Sequence, residues 1–139
     1  MKIISFNFNK VSIEKLSDKI ENLKINTNID ISKIDNVKSD FLNLKEDLLG
    51  VNFKYLINYD PNFAKIELIG TILLAMDSEA VKEVLEQWKE KKMSEDFKIS
   101  LFNVILKKSN IKAIQLEDEM NLPIHIQLPS LKKPEEKKE

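Results

Sequence analysis

Leu49-Gly50-Val51-Asn52-Phe53-Lys54-Tyr55-Leu56-Ile57-Asn58-Tyr59-Asp60-Pro61-Asn62-Phe63-Ala64-Lys65-Ile66-Glu67-Leu68 is the stretch from which the rest of the chain is read. Leu49, Val51, Phe53, Tyr55, Ile57 and Tyr59 form an unbroken row at every second position. Asn52, Lys54 and Asn58 fall on the other face, which is the period of a half-buried strand. Asp60-Pro61-Asn62 is a turn, because proline pre-sets φ and Asx side chains bond the nearby backbone. Phe63 to Met76 runs back as the next strand, so an antiparallel hairpin is expected. In it Ile66 and Leu68 alternate with Lys65 and Glu67, but Ile69 to Met76 is apolar on both faces. A strand with one solvated face does not read that way, so the helices or another subunit should cover the second face there.

Upstream lie two more strands. Ile4, Phe6 and Phe8 alternate with Ser5, Asn7 and Asn9, and Val11 and Ile13 resume in the opposite phase. That change of phase predicts a bulge near Asn9-Lys10. Leu16 and Ile20 sit in a polar link, and Leu23, Ile25, Ile29 and Ile31 then alternate as the second strand. Phe41, Leu42 and Leu44 are embedded in the polar connection that follows.

Downstream the period changes to that of helices. Asp77 or Ser78 can cap a helix with Val81, Val84, Leu85 and Trp88 on one face, and Lys89 to Lys92 reads as its polar end. Ser94, followed by Glu95 and Asp96, opens a long helix that runs towards Met120 and ends at Leu122-Pro123. Its apolar residues cover more than one narrow stripe, so oligomerisation or a ligand groove should take up the surplus. Ile124 to Pro129 is expected to lie extended against the body. The charged stretch 132–139 is expected to be disordered, leaving residues 1–131 as one α+β domain: a four-stranded antiparallel sheet, a short helix and a long helix.

Composition narrows the chemistry. The 139 residues carry 22 lysines, no arginine and 23 acids, a net charge of -1. Nucleic-acid binding is not expected, because phosphate neutralisation needs a basic excess. Neither a membrane span nor a signal peptide is read, and the default address is the cytoplasm. Cysteine is absent and histidine occurs once, at His125, so thiolate chemistry and histidine-based triads or metal centres are not expected. Glycine occurs only at Gly50 and Gly70, so there is no phosphate loop. No cofactor, metal or catalytic residue is assigned. His125 reads as a partly exposed structural residue and Trp88 as a core or interface anchor. Glu117-Asp118-Glu119 reads either as a docking patch for a basic partner or as a solvated face near a fraying helix end.

The order of four strands, a short helix, a long helix and a Pro-containing tail resembles the SecB family of chaperones, from Ile4 to about Leu131. The likeness is strongest in the hairpin Val51 to Met76 and in Leu101-Phe102 through Leu131, where Leu122-Pro123-Ile124-His125-Ile126-Gln127-Leu128-Pro129 resembles that family's closing apolar-proline stretch. The resemblance implies a dimer of dimers that holds unfolded polypeptides in apolar grooves, including for protein export. By position it assigns Ile13, Leu16, Leu23, Ile25, Ile29, Leu116, Met120 and Leu122 to the groove. Glu67 stands where that family docks the export motor SecA, and Ile66, Leu68 and Phe102 are assigned to an oligomer interface. Lys65 and Asn103-Val104-Ile105-Leu106 depart from the family pattern and put motor docking in doubt. The alternative is an oligomeric adaptor for one specific protein partner, as in a toxin–antitoxin system.

Overall fold

The computed structural model describes residues 1–37 and 46–134. The hairpin is present: β3 (Asp47–Asp60) and β4 (Ala64–Met76) pair antiparallel from Tyr59↔Ala64 to Asp47↔Met76. Asn62 takes φ 41° in the turn, and the Phe63 N–H closes it on the Tyr59 carbonyl at 2.9 Å. β1 (Lys2–Lys15) adds to the outside of β4 and β2 (Lys24–Val37) to the outside of β3, giving the order β1-β4-β3-β2. β1 and β2, consecutive in sequence, therefore occupy opposite edges. The link between them passes the hairpin turn, where the Leu16 and Ser17 N–H groups donate to the Phe63 carbonyl.

The expected bulge in β1 falls between Phe8 and Lys10, and a second lies between Ile3 and Ser5. β2 has one between Ile31 and Lys33, which returns Ile34 to the same face as Ile29 and Ile31. The residues expected in the polar connection, Phe41, Leu42 and Leu44, lie outside the described residues.

Both helices pack on one face of the sheet. α1 (Ser78–Trp88) and the first half of α2 (Glu95–Glu119) cover Leu49, Val51, Phe53, Ile72 and Leu74 with Val81, Val84, Phe97, Leu101 and Ile105. The second half of α2 places Ala113 and Leu116 over Tyr55, Ile57, Tyr59, Ile66 and Leu68, joined by Leu122. Each large side chain taken out of water there contributes roughly 1.5–3 kcal/mol. Gly70 lies opposite Phe53 in the register, and a Cβ at Gly70 would sit 2.5 Å from the Phe53 ring. Ser94 caps α2, its hydroxyl accepting the Phe97 N–H.

Of the two covers expected for the second face of β4, the helices do not supply it: Ile69 and Leu73 are half-exposed there beside Thr71, whose hydroxyl bonds Asn9 and Asn52. One expectation is corrected. Ile66 and Leu68, assigned to an oligomer interface, have no exposed surface because they lie on the face that α2 covers.

Candidate functional site

β2 is a sheet edge, and the junction of the two helices stands beside it. α1 ends at Trp88; the Lys91 N–H then donates to the Trp88 carbonyl at 2.8 Å and the Lys92 N–H to the Gln87 carbonyl at 3.0 Å. Lys91 takes φ 58°, the left-handed conformation in which helices commonly terminate. This tight turn sets Trp88 and Met93 side by side, facing Phe102 of α2 and Ile29 and Ile31 of β2. Together with Lys91 and Lys98 they line an open groove of about 570 Å³. Trp88, Met93, Phe102 and Ile29 are half-buried, so the groove offers apolar surface that the described residues do not cover. The Lys91 Nζ stands 4.3 Å from the Trp88 ring centroid, and the Lys98 Nζ 5.6 Å from that of Phe102.

At the other end of α2 a polar cluster is buried against the sheet. Glu117 is 0% exposed and the His125 side chain 1%. His125 Nδ1 lies 2.8 Å from one Glu117 carboxylate oxygen, and Nε2 2.8 Å from Asn110 Oδ1. Both ring nitrogens thus have a hydrogen-bond partner. Asn110 Oδ1 also accepts the Tyr55 hydroxyl at 2.6 Å, and Glu117 accepts the His125 backbone N–H at 3.0 Å. The Tyr59 hydroxyl meets both the Glu117 carboxylate and the Pro123 carbonyl. Burial, and secondarily the negative charge of Glu117, pushes the Tyr55 phenol up to about 12. Tyr59 is raised too, by burial first and then by its hydrogen bond to Glu117. This clasp fastens the segment after α2 to both the helix and the sheet. Among the described residues no cluster of His, Asp and Glu is placed to hold a metal ion.

The clasp corrects one reading of the sequence. Glu117 is neither a docking residue nor part of a solvated face, although Asp118 and Glu119 are exposed. His125 is structural and, as a residue, partly exposed as expected, but its side chain is enclosed. The signal was present in the spacing: Phe97, Leu101, Ile105, Ser109, Ala113 and Glu117 recur every fourth residue, and all are buried. Beyond Ile126 the chain does not lie against the body as expected, and residues 127–134 are exposed.

The residues assigned to a groove by position gather around the second core cluster. Leu23, Ile25, Ile29 and Ile13 pack half-buried at its margin, Ile13 from the β1 edge. Leu116 and Leu122 are buried within it and belong to the core. Leu16 and Met120 are exposed outside it. Ile29 alone of the set lines the groove beside Trp88, and Phe102, assigned to an interface, lines it too. Trp88, Met93 and the two lysines were not assigned to a groove from the sequence.

Glu67, the expected docking residue, lies on the uncovered face of the sheet. Its carboxylate is 2.6 Å from Lys10 Nζ, 3.6 Å from Lys54 Nζ and 3.9 Å from Lys65 Nζ, with the side chain 12% exposed. The hydrogen bond from Lys10 holds its carboxyl below the usual carboxylate range, and the charges of all three lysines add to this. One carboxylate ringed by three ammonium groups does not present an acidic patch, which corrects its reading as a docking residue.

No family model matches the sequence, and neither does any curated protein. Among solved structures, the Mycobacterium tuberculosis SecB-like chaperone Rv1957, in complex with a ChAD peptide from the HigA1 antitoxin Rv1956, is similar in fold. The match has a TM-score of 0.51 at 12% sequence identity, over 96% of this chain and 92% of that one. Four antiparallel strands with a short and a long helix on one face, in this order, make the SecB-like fold that the sequence resemblance implied.

Proposed function

We propose that this chain is a binding protein that holds extended, unfolded polypeptide segments against the apolar groove between β2 and α2. The observation that carries the reading is the surface of Trp88, Met93, Phe102 and Ile29, left uncovered by the described residues, beside the sheet edge formed by β2. Apolar surface of this kind, with a flexible methionine in it, makes few directional demands and accepts many sequences. The edge of β2 adds backbone donors and acceptors to which an extended segment can bond. Holding, rather than catalysis, is what this arrangement serves.

Self-association belongs to the same proposal. β1 is a long edge strand whose outer side is unpaired among the described residues, and Ile3 and Val11 on it are exposed. Together with the exposed Ile99 and Ile111 of α2, it offers the apolar area that a dimer of dimers would cover.

Dilution of a chemically unfolded client into buffer tests the holding function by light scattering. Aggregation should be suppressed at stoichiometric amounts; undiminished scattering contradicts the proposal. A second reading, a dedicated binder of one partner peptide, is favoured by the antitoxin peptide bound to the M. tuberculosis neighbour. It predicts tight binding of a single peptide and no protection of unrelated clients.

A further inference from the structure

We infer that the groove beside Trp88 selects segments in which an aromatic or aliphatic side chain adjoins a carboxylate, and disfavours basic segments. This rests on the holding function proposed above and names its preferred ligands. The walls are apolar (Ile29, Met93, Trp88, Phe102), whereas the charged side chains at the rim are Lys91 and Lys98. Asp30, the acidic residue that borders the groove, pairs in register with Lys54, so its side chain belongs to the other face of the sheet.

Both ammonium groups stand over aromatic rings, and among the described residues neither makes an ion pair. A side chain resting on either ring therefore comes within reach of a positive charge that lacks a carboxylate. Lys91 adds a second observation. Its φ of 58° disfavours any residue with a Cβ, and glycine is the usual occupant of such a helix end. The lysine at this helix end holds its ammonium over the indole at the rim of the groove. An acidic neighbour of a side chain resting on Trp88 meets the Lys91 ammonium, and of one resting on Phe102 that of Lys98; a lysine or arginine there meets like charge.

Trp88 is the single tryptophan, so its emission reports occupancy of the groove directly. The probes are three tryptophan-free peptides of equal length with the same Leu and Phe anchors, flanked by Asp, Asn or Lys. The Asp peptide should bind the full-length protein about tenfold more tightly than the Lys peptide at low salt, with the Asn peptide between. The gap should narrow to about twofold in 0.5 M salt, because rim charges are screened. Lys91→Glu combined with Lys98→Glu, both at exposed positions, should reverse the order. Equal affinities for the three peptides, or an unchanged order in the double variant, overturn the charge selection and leave the groove as a binding site. No change in Trp88 emission with any peptide overturns the groove itself, and the holding function with it.

Discussion

Glu117 has no exposed surface, while its neighbours Asp118 and Glu119 are exposed. A buried carboxylate survives only if its charge is matched, and here His125, the His125 backbone N–H and Tyr59 share that task. Glu117→Gln keeps the shape but leaves His125 without its charged partner. A loss of about 3 kcal/mol in urea unfolding is expected. A double-mutant cycle with His125→Ala should show coupling above about 1 kcal/mol; additive losses would mean that the two do not act as a pair. Tyr55 and Tyr59 give the clasp a pH dependence. Both are raised, so the folded state holds their protons more tightly than the unfolded chain does. Their contribution is fully present below the ordinary tyrosine range near pH 10. For Tyr55 it is lost as pH rises through about 12. Stability followed by circular dichroism should therefore be insensitive to these groups at pH 7–9 and fall above pH 10, with a shallower fall in Tyr55→Phe. The sequence hid this cluster because Glu117 sits in a run of acids. Only its place in the every-fourth-residue stripe marked it as inward.

At the scale of elements, most of the fold was legible. The row from Leu49 to Tyr59, the Asp60-Pro61-Asn62 turn, the bulge near Asn9-Lys10 and the Ser94 cap each have a local physical cause written in a few consecutive residues. What covers a strand's second face is not local. Ile69 and Leu73 suggested a covering layer of helices or another subunit, and the helices do not supply it; Thr71 sits there between Asn9 and Asn52. Gly70 carries an element-scale prediction. Gly70→Ala should destabilise the chain by about 2 kcal/mol, because its Cβ meets both the Phe53 ring and the Asn7 backbone carbonyl. Phe53→Leu added to Gly70→Ala should recover part of the loss. Thermal melts of the three variants check this, and a neutral Gly70→Ala would show that the ring and the carbonyl move aside without cost.

For the whole molecule, the position of the groove followed from two elements far apart in sequence, the edge strand β2 and the junction of α1 with α2. Ile29, assigned by resemblance, lines it, whereas Trp88, Met93 and Phe102 come together there through the turn at Lys91. Leu116 and Leu122 were misassigned for a related reason: an apolar residue at the right place in the order can serve core as readily as groove. The β1 edge, unpaired among the described residues, predicts a solution mass above the 16.2 kDa of one chain. Val11→Lys, at an exposed position on that edge, should lower the mass while changing unfolding stability by no more than about 0.5 kcal/mol. A monomer in the unaltered protein would remove the support for assembly through β1. The holding function is tested most directly by titrating the protein with a tryptophan-free, permanently unfolded polypeptide while recording Trp88 emission. Holding in the groove predicts a spectral change that saturates at a defined stoichiometry and is lost in Phe102→Asp; an emission spectrum unchanged by a client in excess contradicts it.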